Sequence, residues 1–159
     1  VRPRSFYGLF RNHYETRKLN THMATVQILA FITLDGYLAH RTTFPDLWGH
    51  PEKYGITRIR EDALSRLDPE VSFISLTEWK RGHSGVYLAE ATPETLPFTD
   101  SLLRFRMADE LVLYILPCFQ GEGSRLFEGS PDPSTWKLAG TRCFRGDVCR
   151  LHYRRVPGG

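Results

Sequence analysis

"ELVLYILPCFQGEGSRLFEG" occupies residues 110–129, and its first seven residues decide the architecture. After Glu110 the chain runs through Leu111-Val112-Leu113-Tyr114-Ile115-Leu116 with no polar interruption. Continuous apolarity over that length marks a strand covered on both faces, the situation inside a parallel sheet with a layer on either side. Pro117 follows, then Gly121-Glu122-Gly123 just beyond the carboxyl end of the strand. Without a Cβ, glycines there can bring backbone N–H groups close to an anion. Arg125 adds a guanidinium suited to phosphate. The plain alternative is that such glycines only turn the chain. On the first reading Gly121 and Gly123 are cofactor contacts and Arg125 a substrate contact.

Working outward, residues 93–107 carry Leu96, Thr99, Leu102, Leu103 and Met107 on one helical face. Pro97 places the start of the regular helix near itself, because an interior proline would break it. "GVYLAEA" (85–91) and "VSFISL" (71–76) read as strands, with "TEWKRGHSG" as the connection between them. Ile56, Ile59, Ala63, Leu64 and Leu67 predict an amphipathic helix stopped by Asp68-Pro69, with Arg58, Arg60, Glu61 and Arg66 as its solvated face. Residues 41–55 read as a loop. "TVQILAFITL" (25–34) is a central strand ended by Asp35-Gly36. Downstream, "TWKLAGTRCF" and "DVCRLHYRR" form an antiparallel hairpin about Arg145-Gly146, with one wet face on the second arm. Strands alternating with helices and a closing hairpin give one α/β domain over residues 23–156. Its sheet is mixed and mostly parallel, flanked by helices.

Composition sets the outer limits. The chain has 159 residues, 41% hydrophobic and 25% charged, which is ordinary for a single globular domain. No apolar run approaches the roughly 20 residues of a membrane helix, so no membrane partner is expected. Cys118, Cys143 and Cys149 have no CxxC spacing, which predicts reduced thiols and a cytoplasmic protein. The net charge of +3 is concentrated in residues 1–22, where five cations face one acid. Removing that +4 leaves −1 for residues 23–159. A nucleic-acid groove needs cationic charge on the folded surface, so none is expected here. Residues 1–22 read as a basic extension, either disordered or lying along a partner subunit. A less favoured reading makes that extension an arm on nucleic acid or an anionic membrane.

Candidate chemistry gathers at strand ends. Asp35 ends the first strand, where open α/β sheets place ligands and where an acid could hold a heterocycle or supply a proton. Asp-Gly is also a favoured turn pair. Glu90 ends the "GVYLAEA" strand, and Thr92 could cap the helix after it. Trp48, in a polar loop, could close over a flat ring, although tryptophans more often pack. His40, His50 and His83 lack metal-ligand spacing, so no metal is expected. No GxSxG serine is present, and the cysteines have no activating partner.

Three blocks resemble the dihydrofolate-reductase-like superfamily, and within it the reductase domain of bacterial riboflavin biosynthesis. "ILAFITLDGYLA" (28–39) is similar to that family's opening strand and its S-x-D-G-x-I/L-A signature. "LLRFRMADELVLYILPCFQGEGSRLFEG" (102–129) resembles L-L-x-x-x-L-V-D-E-L-x-L-Y-x-x-P-x-x-x-G-x-G-x-x-L-F, and "WKLAGTRCFRGDVCRLHYRR" resembles the terminal hairpin. The resemblance implies a homodimeric, NADPH-dependent reductase of a pyrimidine or pteridine precursor, of the 5-amino-6-(5-phosphoribosylamino)uracil reductase type. It implies Asp35 as the signature acid and Gly121 and Gly123 at the cleft between substrate and cofactor. Two departures accompany it. "ISLTEWKRG" stands where the family has G-R-x-T. The family's E-G-G at the cofactor pyrophosphate reads Glu90-Ala91-Thr92. A Cβ at each replaced glycine obstructs close backbone approach. The alternative is therefore a degenerate, non-catalytic relative that binds a heterocycle or only forms a dimer.

Overall fold

The computed structural model describes residues 23–129 and 131–158. Six strands form one sheet in the order β2-β3-β1-β4-β6-β5. They are β1 (Thr25–Thr33), β2 (Ser65–Arg66), β3 (Val86–Glu90), β4 (Glu110–Leu116), β5 (Trp136–Phe144) and β6 (Val148–Arg155). β1 lies at the centre, parallel to β3 on one side and to β4 on the other. β2 extends the parallel part, while β6 and β5 add the antiparallel hairpin beside β4.

Strand pleating sorts the apolar residues into two cores. Val26, Ile28, Ala30 and Ile32 of β1, with Leu111 of β4, join one cluster, which includes Leu76, Leu96, Phe98 and Leu102. Those partners belong to α3 (Phe73–Gly82) and α4 (Leu96–Arg104). Leu29 and Phe31 of β1, with Val112, Tyr114 and Leu116 of β4, enter the opposite cluster. There they meet Leu47 of α1 (Pro45–Gly49), Tyr54 of the 3-10 turn Pro51–Tyr54, and Ile56 of α2 (Ile56–Asp62). The unbroken apolarity of β1 and β4 has this cause: each strand feeds both layers. The Tyr114 hydroxyl donates to the Tyr54 carbonyl at 2.6 Å and ties the α1–α2 layer to the middle of the sheet.

Strands β1, β3 and β4 and the hairpin stand where the sequence placed them. Residues 71–76 do not form a strand. Ser72 caps α3 by accepting the Ser75 N–H at 3.1 Å, and the helix continues to Gly82 through the expected connection. Only Leu76 of its residues is buried, and Ile74 is 76% exposed. The helix at Ile56 stops at Asp62, and Leu67 is buried past the short edge strand β2. Residues 41–55 hold α1 and the 3-10 turn instead of a bare loop. Pro97 falls in the first turn of α4, where a missing N–H costs nothing. The expected extension, residues 1–22, lies outside the described residues. Among those described, no helix is long and apolar enough to cross a membrane.

Candidate functional site

β1 and β3 run side by side in the same direction, with Leu29 opposite Glu90, so their following loops leave the sheet at one edge. Between those loops is a hollow of about 730 Å³, within the usual size of a small-molecule site. The Phe31 and Trp48 rings form its aromatic wall, edge to face at 5.6 Å. Glu90, Ala91 and Thr92 form the wall after β3.

Arginines supply its charge. Arg60 of α2 grips Glu90 with two bonds, Nη2 to Oε1 at 2.7 Å and Nε to Oε2 at 3.1 Å. Arg66 of β2 adds its Nε at 3.4 Å from Oε2. Arg60 and Glu90 are 25% and 21% exposed, so this pair is partly shielded from water. Arg41 and Glu94 also line the hollow. Three arginines against two glutamates leave one positive charge in excess, which favours an anionic guest.

Side chains at the turn into α4 already occupy much of its backbone. The Thr95 hydroxyl accepts the Thr92 N–H at 2.8 Å and donates to the Glu90 carbonyl at 2.7 Å. In return the Thr92 hydroxyl accepts the Thr95 N–H at 3.2 Å. The Ala91 N–H goes to the Leu29 carbonyl at 2.8 Å, and Ala91 is buried in the α3–α4 core. Pro93 and Pro97 have no N–H to offer. Of the N–H groups from Ala91 to Leu96, those of Ala91, Thr92 and Thr95 are spent and Pro93 has none, which leaves only Glu94 and Leu96 and fits a dinucleotide pyrophosphate poorly.

A second polar cluster stands beside the hollow at the β1–β4 side. The Asp35 carboxylate accepts the Thr33 hydroxyl, the Gln120 N–H at 3.1 Å and the Gly121 N–H at 2.8 Å. The Thr33 hydroxyl foremost, with the Gly121 and Gln120 amides and against the effect of desolvation, holds Asp35 down at about 2. At neutral pH it is an ionised acceptor and not a proton donor. Arg125 donates to the Asp35 carbonyl at 3.0 Å and the Tyr37 hydroxyl at 3.1 Å, and lies 4.3 Å over the Tyr37 ring. Gln120 completes the cluster. Its side-chain oxygen accepts the His40 N–H at 2.8 Å, and its amide nitrogen donates to the Leu38 carbonyl at 3.0 Å and the Glu122 carbonyl at 2.8 Å.

The two opening glycines have separate reasons. Gly121, at φ +82°, turns its N–H onto Asp35, and a Cβ there would meet open space. Gly123, at φ +130°, makes room for Gln120, whose Nε2 would lie 2.8 Å from an added Cβ.

Of the residues singled out in the sequence, Trp48, Glu90, Ala91 and Thr92 surround the hollow. Asp35, Gly121, Gly123 and Arg125 form the neighbouring cluster and are not part of its lining. Sequence reasoning passed over Arg41 and Gln120 and treated Arg60 and Arg66 as solvated, which holds for Arg66, 61% exposed, and not for Arg60. One signal was available: Arg60 stands four residues after the buried Ile56, on the same helical face. Among the described residues no group of three His, Cys, Asp or Glu side chains could hold a metal.

No protein-family model and no curated protein matches the chain. Solved structures match it in fold. A pyrimidine reductase-like protein from Corynebacterium diphtheriae superposes with a TM-score of 0.53 at 11% identity, over 84% of this chain and 92% of that one. Dihydrofolate reductase from Enterococcus faecalis, complexed with NADP(H), gives 0.51 at 13% identity, over 84% and 98%. A diaminohydroxyphosphoribosylaminopyrimidine deaminase/5-amino-6-(5-phosphoribosylamino)uracil reductase from Thermotoga maritima gives 0.50 at 14% identity, over 90% of this chain and 58% of its own length. The chain has the dihydrofolate-reductase-like fold.

Proposed function

We propose that this protein binds a flat, negatively charged heterocycle of the pyrimidine or pteridine class in the hollow between the β1 and β3 loops, without clamping a dinucleotide at α4. The observation that carries the proposal is the joint presence of an aromatic wall, Phe31 and Trp48, and the arginines Arg41, Arg60 and Arg66 around one cavity. Aromatic faces hold a planar ring, and guanidinium groups hold phosphate or carboxylate in paired hydrogen bonds. The Corynebacterium neighbour, a pyrimidine reductase-like protein, supports the ligand class. Titration with uridine monophosphate, uridine and inorganic phosphate, followed by tryptophan fluorescence and calorimetry, tests it. The nucleotide should bind best, and Arg60→Ala should weaken it about tenfold, or ~1.4 kcal/mol. Equal binding of all three, or none, would overturn the reading.

A second reading is NADPH-dependent reduction of a pyrimidine or pteridine precursor. It is favoured by the hollow's position at the carboxyl ends of parallel strands and by the NADP(H) bound in the Enterococcus neighbour. Asp35, Gly121, Gly123 and Arg125 would then frame the cleft from the β4 side. The closed turn at Thr92 and Thr95 opposes it. Fluorescence titration with NADPH, on the native chain and on the Ala91→Gly/Thr92→Gly variant, separates the two. Micromolar binding that tightens in the variant would replace the first reading with this one. Pairing of two copies belongs to either reading and is checked by sedimentation.

A further inference from the structure

We propose that Cys143 and Cys149 form a dithiol modification site, in which a small-molecule disulfide oxidises the pair to a disulfide across the C-terminal hairpin. The register of β5 and β6 places Cys143 directly opposite Cys149. Directly opposed residues of antiparallel strands project to the same face with Cα atoms about 4.5–5.5 Å apart. A disulfide requires about 4.4–6.8 Å. The Cα spacing of the pair therefore falls within the range that a disulfide spans.

The two thiols differ in a way that sets the order of events. Cys143 is exposed, whereas Cys149 is half-buried. Burial first, and then the neighbouring Cys143, raises the Cys149 thiol above the ordinary range. Cys143 meets the oxidant first. Its thiolate attacks glutathione disulfide, forming a mixed disulfide and releasing one glutathione thiol. Cys149 then loses its proton and attacks the Cys143 sulfur, expelling the second glutathione thiol. Two protein thiols become one disulfide, and one glutathione disulfide becomes two thiols.

The location gives the bond a structural consequence. Phe144, next to Cys143, stacks on Tyr114 at 6.0 Å and also approaches the Tyr54 ring at 6.0 Å. Beside Cys149, Arg150 lies over the Phe144 ring at 5.5 Å. At the hairpin tip, a Cβ on Gly146 would come within 3.5 Å of Phe44. The hairpin tip thus buttresses the segment from Phe44 to Tyr54, which also carries Trp48. A bond between Cys143 and Cys149 fixes that buttress, independently of what the hollow binds.

Trypsin makes the test unambiguous, because cleavage after Arg142, Arg145 and Arg150 puts the two cysteines on separate peptides. The full chain is incubated with glutathione disulfide and digested without reductant. The expected product is the peptide Cys143–Arg145 joined to Gly146–Arg150, with a loss of two hydrogens. The thermal midpoint should rise by roughly 5 °C over the reduced protein. Cys118→Ser should retain both effects, and Cys143→Ser and Cys149→Ser should each abolish them. A stable glutathione adduct on Cys143 without the linked peptide, a link to Cys118, or an unchanged chain would overturn the proposal.

Discussion

The loops after β1 and β4 and the turn after β3 leave the sheet at the same edge, yet they spend their polar groups differently. On the β1–β4 side, Asp35, Gln120 and Arg125 satisfy one another and the surrounding backbone, which fastens two loops into a single unit. On the β3 side the backbone is closed by Thr92 and Thr95, while Arg60, Arg66 and Glu90 line a hollow. The comparison separates two uses of the same residue types. Groups that find each other across short loops become scaffold. Charges brought in from separate elements, here α2, β2 and β3, surround space that a ligand can enter.

An exchange of carboxylates gives the largest expected effects. Asp35→Ala removes the acceptor that gathers Thr33, Gln120 and Gly121, so it should lower the thermal midpoint more than any other single polar change at this edge. Nucleotide binding below the transition should survive it. Glu90→Ala should do the reverse. It leaves Arg60 and Arg66 without their counter-ion, lowers stability by about 1 kcal/mol, and strengthens phosphate binding severalfold because two positive charges, not one, are then in excess. Calorimetric unfolding and phosphate titration of both variants decide the matter. If Asp35→Ala abolishes binding and leaves stability intact, the division between scaffold and hollow fails.

Acid titration examines the same division on the native chain. Asp35 titrates near 4 when unfolded and at about 2 when folded. Between those values the unfolded state binds more protons, so the contribution of Asp35 to stability is complete above about pH 4 and is lost as the pH falls toward 2. The difference in unfolding midpoint between the native chain and Asp35→Asn should be constant at neutral pH and shrink in that acid window. A difference that persists unchanged to pH 2 would show that the carboxylate charge does not hold the loops.

Much of the fold could be read from the sequence because β1 and β4 are long, apolar on both faces and ended by Asp-Gly or Pro. α3 escaped because its apolar run, residues 71–76, is too short for periodicity to separate helix from strand. Its signal was local instead: Ser72 could cap and does. The site was only half readable. Glycines and acids at strand ends announced the edge itself. They could not reveal that Asp35 would be consumed by backbone amides, nor that Arg60 and Arg66 would turn toward Glu90, since both depend on how separate elements pack.

The two glycines sharpen the comparison at the level of the backbone. Gly123→Ala faces two costs. Its φ of +130° strains any side chain, and the new Cβ would stand 2.8 Å from Gln120 Nε2. That atom lies at the end of a flexible side chain, but its bonds to the Leu38 and Glu122 carbonyls hold it in place. Moving it breaks those two bonds, of which the exposed Glu122 carbonyl can turn to water, so the loss should be about 1–2 kcal/mol. Gly121→Ala faces only the first cost, because nothing lies within 4 Å of its Cβ and the N–H to Asp35 is retained. Its loss should be about 1 kcal/mol. Denaturant unfolding of both variants measures the gap. Neither should weaken nucleotide binding if the pair serves the scaffold alone. A Gly121→Ala protein that is fully stable but has lost the nucleotide would return that backbone to the ligand site.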